Sequence, residues 1–133
     1  MSRRRAGPVA ALLLVAAALP ATASACTLPA EAGATLAEGP VQLAWRAEPA
    51  PAIGRGFALH LVVCPADARL VRVDATMPDH RHGMNYRPSV HALGEGRWRA
   101  DGLLWHMGGR WELRFDVEAG GVRHSLRQDV QLR

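Results

Sequence analysis

Lysine is absent from the sequence of 133 residues, so arginine supplies every basic side chain other than histidine. Three of the arginines lie at positions 3–5, ahead of an apolar run, and the other 13 are nearly balanced by 12 acidic residues. A nucleic-acid-binding domain is expected to carry a clustered basic patch. The sequence has no such cluster beyond its first residues, and we therefore predict no nucleic-acid partner.

The sequence also lacks the apolar run of about 20 residues that a membrane-spanning helix requires. Its apolar run at residues 9–19 has only 11 residues. Arginines precede this run and small residues follow it at 21–25, an order typical of a cleaved secretory signal peptide. We predict that residues 1–25 are this signal, that the mature protein is periplasmic or otherwise exported, and that no stable membrane span remains. An uncleaved membrane anchor is the alternative.

Cysteine is scarce, with one residue at position 26 and one at position 64. An even pair in an exported chain indicates a disulfide, and we predict the bond Cys26–Cys64. The alternative is a lipoprotein acylated at Cys26, which directly follows Ala-Ser-Ala. Acylation would leave Cys64 as an unpaired thiol in an oxidising compartment, so the disulfide is favoured.

Motifs of the common enzyme classes are missing as well. The sequence contains no serine nucleophile motif, no phosphate-binding loop, no dinucleotide fingerprint and no haem-attachment cysteine pair. Asp79 and Asp101 are single carboxylates without the pairing that glycoside chemistry uses. We therefore predict that the protein is not an enzyme.

Short runs of alternating apolar and polar residues fill the chain from Val41 onward. The segment "VQLAW" places Val41, Leu43 and Trp45 on one face, and "RWELRFDVE" does the same with Trp111 and Phe115. Such runs, separated by glycine, proline and aspartate, are typical of strands. No window in this region has helical spacing.

This pattern predicts an all-β fold. We expect a single immunoglobulin-like antiparallel β-sandwich of six to seven strands over residues 41–133, preceded by an N-terminal tether at residues 26–40. Residues 77–87 and 102–110 are predicted to be loops between strands. Binding sites of sandwiches commonly lie in such loops.

Methionine and histidine are grouped in these two predicted loops. Beyond the signal segment there are three methionines, and each lies within three residues of a histidine. We expect none of the three on the apolar face of a strand, where methionine would serve as core filler. The candidate metal ligands are Met77, His80, His82, Met84, His106 and Met107.

A site that mixes thioether sulfur with imidazole favours Cu(I) over hard cations, which prefer oxygen. In an extended segment, His80 and His82 would face the same side about 6–7 Å apart. Met84, two positions further on, would face that side as well. From the second loop, His106 or Met107 would complete the set; we expect one of the two to bind more readily, because neighbours in an extended chain face opposite ways.

Three other interpretations remain open. Zinc could be held by His80, His82, His106 and Asp79, although this leaves the methionines unexplained. Alternatively, the histidines are solvated loop residues and the methionines cap the ends of the sandwich. Finally, the domain could bind a partner protein through these loops without any metal.

In the copper interpretation, we expect Trp105 to shield the ion, because it adjoins His106.

The segment "VDATMPDHRHGMNYRPSV", followed by "GRWRADGLLWHMGGRWELRFDV", resembles the YtkA-like family of small exported bacterial domains. The resemblance implies an immunoglobulin-like sandwich that binds copper, as Cu(I), and delivers it in the periplasm to a copper-accepting periplasmic or membrane oxidase protein. The 21 residues between Met84 and His106 also match the site design of PCuAC-type copper chaperones. In that family one residue separates the histidine from the next methionine, whereas His106 and Met107 are adjacent.

Overall fold

The structure, a computed structural model, describes residues 26–133, and the predicted signal peptide lies outside the described residues. The predicted all-β fold is confirmed. The strands are β1 Ala34–Glu38, β2 Val41–Glu48, β3 Gly56–Cys64, β4 Arg69–Met77, β5 His82–Gly83, β6 Ser89–Gly94, β7 Arg97–Leu104, β8 Gly109–Ala119 and β9 Val122–Leu132. Two 3-10 turns, Ala30–Ala32 and Pro78–His80, are the only helical segments within the described residues.

The strands form two antiparallel sheets that pack face to face. One sheet has the order β1-β2-β3-β7-β6 and the other the order β5-β4-β8-β9. The described residues form nine strands, two more than the upper limit of the predicted six to seven. Strand β1 comes from the predicted tether and pairs with β2, for example Leu36 with Leu43, and β5 has only two residues. Both are edge strands with weak alternation, so the apolar pattern did not reveal them.

The core lies between the sheets and is built from the inward residue of every second position. Trp111, Leu113, Phe115 and Val117 of β8 are fully buried, which is the period-two pattern of a strand with one face in the core. Each such side chain contributes roughly 1.5–3 kcal/mol on burial.

Within residues 26–133, no helix has the length and hydrophobicity needed to cross a membrane.

The strand directions separate the connecting loops into two ends. The loops at residues 49–55, 78–88 and 105–108 share one end, which we call the loop end. The tight turns at the opposite end adjoin the Cys26–Cys64 bond, and we call it the disulfide end. The bond itself confirms the predicted pairing, and it uses the Cys26 sulfur that lipid attachment would need.

Two expectations about the loops are wrong. Met77 is the last inward residue of β4 and is only 1% exposed, so one methionine does lie on the apolar face of a strand. The strand continues up to Pro78, which begins a 3-10 turn. The second predicted loop is also shorter than expected, because β7 extends to Leu104 and β8 begins at Gly109.

Candidate metal centre

The first loop turns sharply and then returns to its own strand. Pro78 opens a 3-10 turn that ends at Arg81, whose φ of 55° is left-handed. The chain then pairs back onto β4, with His82 opposite Met77 and Gly83 opposite Thr76. Residues 80–84 are therefore not the extended segment that the spacing predicted.

The return of the chain depends on a close backbone contact at Gly83. A Cβ atom there would lie 3.1 Å from the carbonyl oxygen of Ala75. The next residue, Met84, donates its backbone N–H to that same oxygen at 3.2 Å. A side chain at position 83 would crowd this approach, so glycine keeps His82 and Met84 anchored against β4.

Three imidazole rings come together at the loop end. The ring centres of His82 and His106 are 5.2 Å apart, and those of His80 and His82 are 5.8 Å apart. With metal–nitrogen bonds of about 2 Å, two imidazoles on one ion have ring centres about 6 Å apart or less. Both pairs satisfy this limit. The predicted convergence of the two loops is therefore present, although His82 and His106 are 24 positions apart in the chain.

A buried indole lies beside the imidazoles. The Trp111 ring is edge-to-face with His106 at 5.6 Å and with His82 at 6.3 Å between centres. Its Nε1–H donates to the carbonyl oxygen of Met107 at 3.0 Å, which fixes the second loop. Trp105, which the sequence predicted to shield the ion, is instead fully buried and stacks on Trp111 at 5.2 Å. Trp111 therefore has the position expected of Trp105.

The three methionines differ in their surroundings. Met84 and Met107 are half-buried and pack against the edge of the core. Met77 is enclosed, and its Cε atom would lie only 2.8 Å from a Cβ atom at Gly109. Met77 thus reaches from β4 to the start of β8 and lies under the loop end, while the other two thioethers are at its surface.

Asp79 is held away from a ligand role by an arginine. Arg110 Nη2 donates to Asp79 Oδ1 at 2.8 Å and Nε donates to Oδ2 at 3.1 Å. The hydrogen bonds from Arg110 lower the pKa of Asp79, and the same carboxylate raises the pKa of Arg110. Each carboxylate oxygen thus already accepts one hydrogen bond from Arg110, and the ion pair fixes Asp79 beside Arg110 rather than leaving it free to turn toward the imidazoles.

Within residues 26–133, no group of three or more histidine, cysteine, aspartate or glutamate side chains is arranged to hold a metal ion. The thioethers of Met84 and Met107 are further donor groups at the loop end. Of the six predicted ligands, the structure brings five to the surface of the loop end and places Met77 beneath it.

Arg110 and Trp111 are the residues that sequence reasoning missed. Their partners, Asp79 and the two imidazoles, are distant in sequence, so no local motif connects them.

Comparison of the chain with family models, with curated proteins and with solved structures gave no match. The functional interpretation therefore depends on the residues and their geometry.

Proposed function

We propose that the protein is a periplasmic carrier of Cu(I), with one ion bound at the loop end. The observation that carries this proposal is the pair of imidazoles, His82 and His106, whose ring centres are 5.2 Å apart above Trp111. The thioethers of Met84 and Met107 are the ligands that would complete the site. His80 is a third imidazole within reach of His82.

The donor set matches a soft monovalent ion. Thioether and imidazole are neutral ligands, and this combination favours Cu(I) over calcium, magnesium or manganese. The carboxylate nearest to the ligands, Asp79, is paired with Arg110. The bound ion would therefore keep its charge of +1, and transfer to a similar neutral site needs little rearrangement of charge.

Exposure of the ligands supports a carrier role over permanent storage. His80, His82 and His106 are exposed, and an open depression beside His82 is lined by Pro78 and Arg81. An incoming ligand from a partner could therefore reach the ion without unfolding of the domain. A copper-accepting periplasmic or membrane oxidase protein is the partner that the YtkA-like resemblance implies.

A competition titration tests the proposal. The mature chain, residues 26–133, would compete for Cu(I) against a chromophoric chelator, beside the His82→Ala/Met84→Ala double variant. We expect one tightly bound ion per chain and an affinity lower by about 100-fold or more in the variant, since even loss of a residue that only supports a ligand typically costs 10–100-fold.

The matched control is His91→Ala, which removes an exposed histidine on β6 away from the site. This variant should bind Cu(I) as the unchanged protein does. Equal affinity of the double variant and the control would contradict the proposal.

A second candidate function is a module that binds a partner protein without metal. Ile53 and Tyr86 are 54% and 55% exposed, and both lie in loops of the loop end, so an apolar contact is available there. Partner binding that survives chelation and Met84→Ala would favour this function over copper transport.

A further inference from the structure

The arginines of this protein are mostly paired. Of the 13 arginines in residues 26–133, nine form ion pairs with aspartate or glutamate. Within the described residues, Arg55, Arg81, Arg87 and the final residue, Arg133, have no carboxylate partner. Arg55 donates only to the backbone carbonyl of Ala50. An unpaired arginine keeps its full charge for interactions with another molecule.

Three of these four arginines lie in loops of the loop end. Arg81 lies between His80 and His82, and Arg87 follows Met84 by three residues. Arg55 lies in the loop whose Gly54 donates its N–H to the carbonyl oxygen of Trp105 at 2.8 Å, next to the second ligand loop. These three cations therefore lie in the loops that carry the candidate ligands or in the loop that adjoins them.

The two ends of the sandwich consequently differ in charge. The three loops of the loop end contain Arg55, Arg81 and Arg87 against one acidic residue, Asp79, which Arg110 already neutralises. Within the described residues, the four tight turns of the disulfide end contain no arginine and two acidic residues, Asp67 and Glu95, of which Glu95 is paired with Arg97 of β7. A cluster of one sign at one end steers an oppositely charged molecule toward that end.

We propose that the loop end is a docking face for an acidic protein surface that presents its own Cu(I) ligands. This inference rests on the proposed function and names the chemistry of the partner. Carboxylates of the partner would pair with Arg55, Arg81 and Arg87, while the exposed side chains of Ile53 and Tyr86 supply apolar contact. Such charge complementarity mainly raises the rate of encounter and fixes orientation, which transfer of an ion between two sites requires.

The test uses two synthetic peptides with the same Met-x-x-Met-x-x-Met segment. One peptide is flanked by glutamates and the other by lysines. First, the metal-free mature chain is titrated into each fluorescently labelled peptide at low salt, and binding is followed by anisotropy. We expect binding of the acidic peptide only, weakened in high salt because salt screens exposed charges.

Second, Cu(I) transfer from the loaded chain to each peptide is followed by the tryptophan fluorescence of the protein. The acidic peptide should receive copper about tenfold faster or more, within the range known for electrostatic steering.

The decisive variant is Arg55→Gln/Arg81→Gln/Arg87→Gln, which should lose the preference for the acidic peptide in both measurements. The control is Arg69→Gln/Arg97→Gln/Arg123→Gln, which removes the same charge from arginines paired elsewhere and should keep the preference.

Equal binding of the two peptides by the metal-free chain would overturn the docking face. So would stronger capture of the chain by phosphatidylglycerol vesicles than by the acidic peptide, because it would assign the face to an anionic membrane. Failure of the copper proposal would give a different result, because the chain would then not bind Cu(I) and no transfer could be measured. The anisotropy measurement uses the metal-free chain and would still test the docking face.

Discussion

Arg110 clamps Asp79 through two parallel hydrogen bonds, at 2.8 and 3.1 Å, and thereby joins the turn that carries His80 to strand β8. The same guanidinium reaches Asp129 of β9 at 3.2 Å. One side chain thus ties the first loop to two strands of the four-stranded sheet, β8 and β9. This connection makes the geometry of the first loop depend on Arg110, which is not one of the candidate ligands.

Asp79→Asn should weaken Cu(I) binding while leaving the domain folded. The amide cannot accept both hydrogen bonds from Arg110, so the turn Pro78–His80 loses its fixed position. We expect an affinity loss of up to about tenfold, at the lower limit of what supporting residues usually contribute. Asp129→Asn is the control, since it removes the other partner of Arg110 but does not touch the loop. Equal losses in both variants would contradict a positioning role for Asp79.

Met77→Leu should leave Cu(I) affinity unchanged. Met77 is enclosed in the core with its Cε against Gly109, and leucine replaces its volume at a cost below about 1.5 kcal/mol. By contrast, Met84→Leu should reduce the affinity, because it removes a thioether from the surface of the site. Chelator competition with both variants measures this difference. Loss of binding in Met77→Leu would instead make the buried sulfur a ligand.

Trp111→Phe should destabilise the protein more than Trp105→Phe. Both indoles are fully buried and stacked, so the lost volume is similar. Only Trp111 donates a hydrogen bond, to Met107, whereas Nε1 of Trp105 has no partner within the described residues. The difference between the variants should be about 1 kcal/mol, the typical contribution of one hydrogen bond. Urea unfolding of the two proteins measures it, and equal stabilities would show that the bond contributes nothing.

Asp116 should make the protein less stable in acid. Its side chain is 3% exposed and accepts hydrogen bonds from Ser125 Oγ at 2.6 Å and Arg114 Nε at 2.8 Å. Burial raises the pKa of Asp116, but the bonds from Ser125 and Arg114 outweigh it, and the net effect lowers the pKa. A pKa that is lower in the folded chain stabilises the fold above the unfolded value of about 3.9, and this contribution is lost as the pH falls through the folded value.

Comparison of the unchanged protein with Asp116→Asn isolates this effect. At pH 7 the variant should have a free energy of unfolding lower by about 1–3 kcal/mol, because a charged hydrogen-bonding group is lost. The difference should stay constant down to about pH 5 and shrink below about pH 4. Denaturant unfolding at several pH values measures it. A difference that does not depend on pH would show that Asp116 does not titrate as proposed.

The sequence was sufficient for the fold class because the strands that build the core alternate strictly. Trp111, Leu113 and Phe115 show that pattern without interruption. Strand β1 could not be recognised in the same way, because its alanines and Thr35 carry little apolar contrast. Met77 was misjudged for a related reason: proximity to Pro78 suggested a loop, although the alternation through Val73 and Ala75 continues to it.

The residue types of the candidate site and the two loops that carry them were predictable, but the contacts within the site were not. The grouping of His80, His82 and Met84 is visible in one short segment, but the 5.2 Å approach of His106 to His82 depends on the pairing of β4 with β8. Such long-range pairing is set by the whole core and has no local signature. The indole of Trp111 and the clamp from Arg110 depend on the same pairing.

The disulfide between Cys26 and Cys64 lies at the end of the sandwich opposite His82 and His106. A tag, dye or solid support joined ahead of Cys26 would therefore attach at the disulfide end. The loop end, with its three unpaired arginines, would point away from the attachment. Immobilised in this way on a sensor chip, the domain would present its candidate metal centre freely to analytes. Attachment through the last residue, Arg133, which follows the Leu132–Gly109 pair, would instead place the support beside the ligand loops.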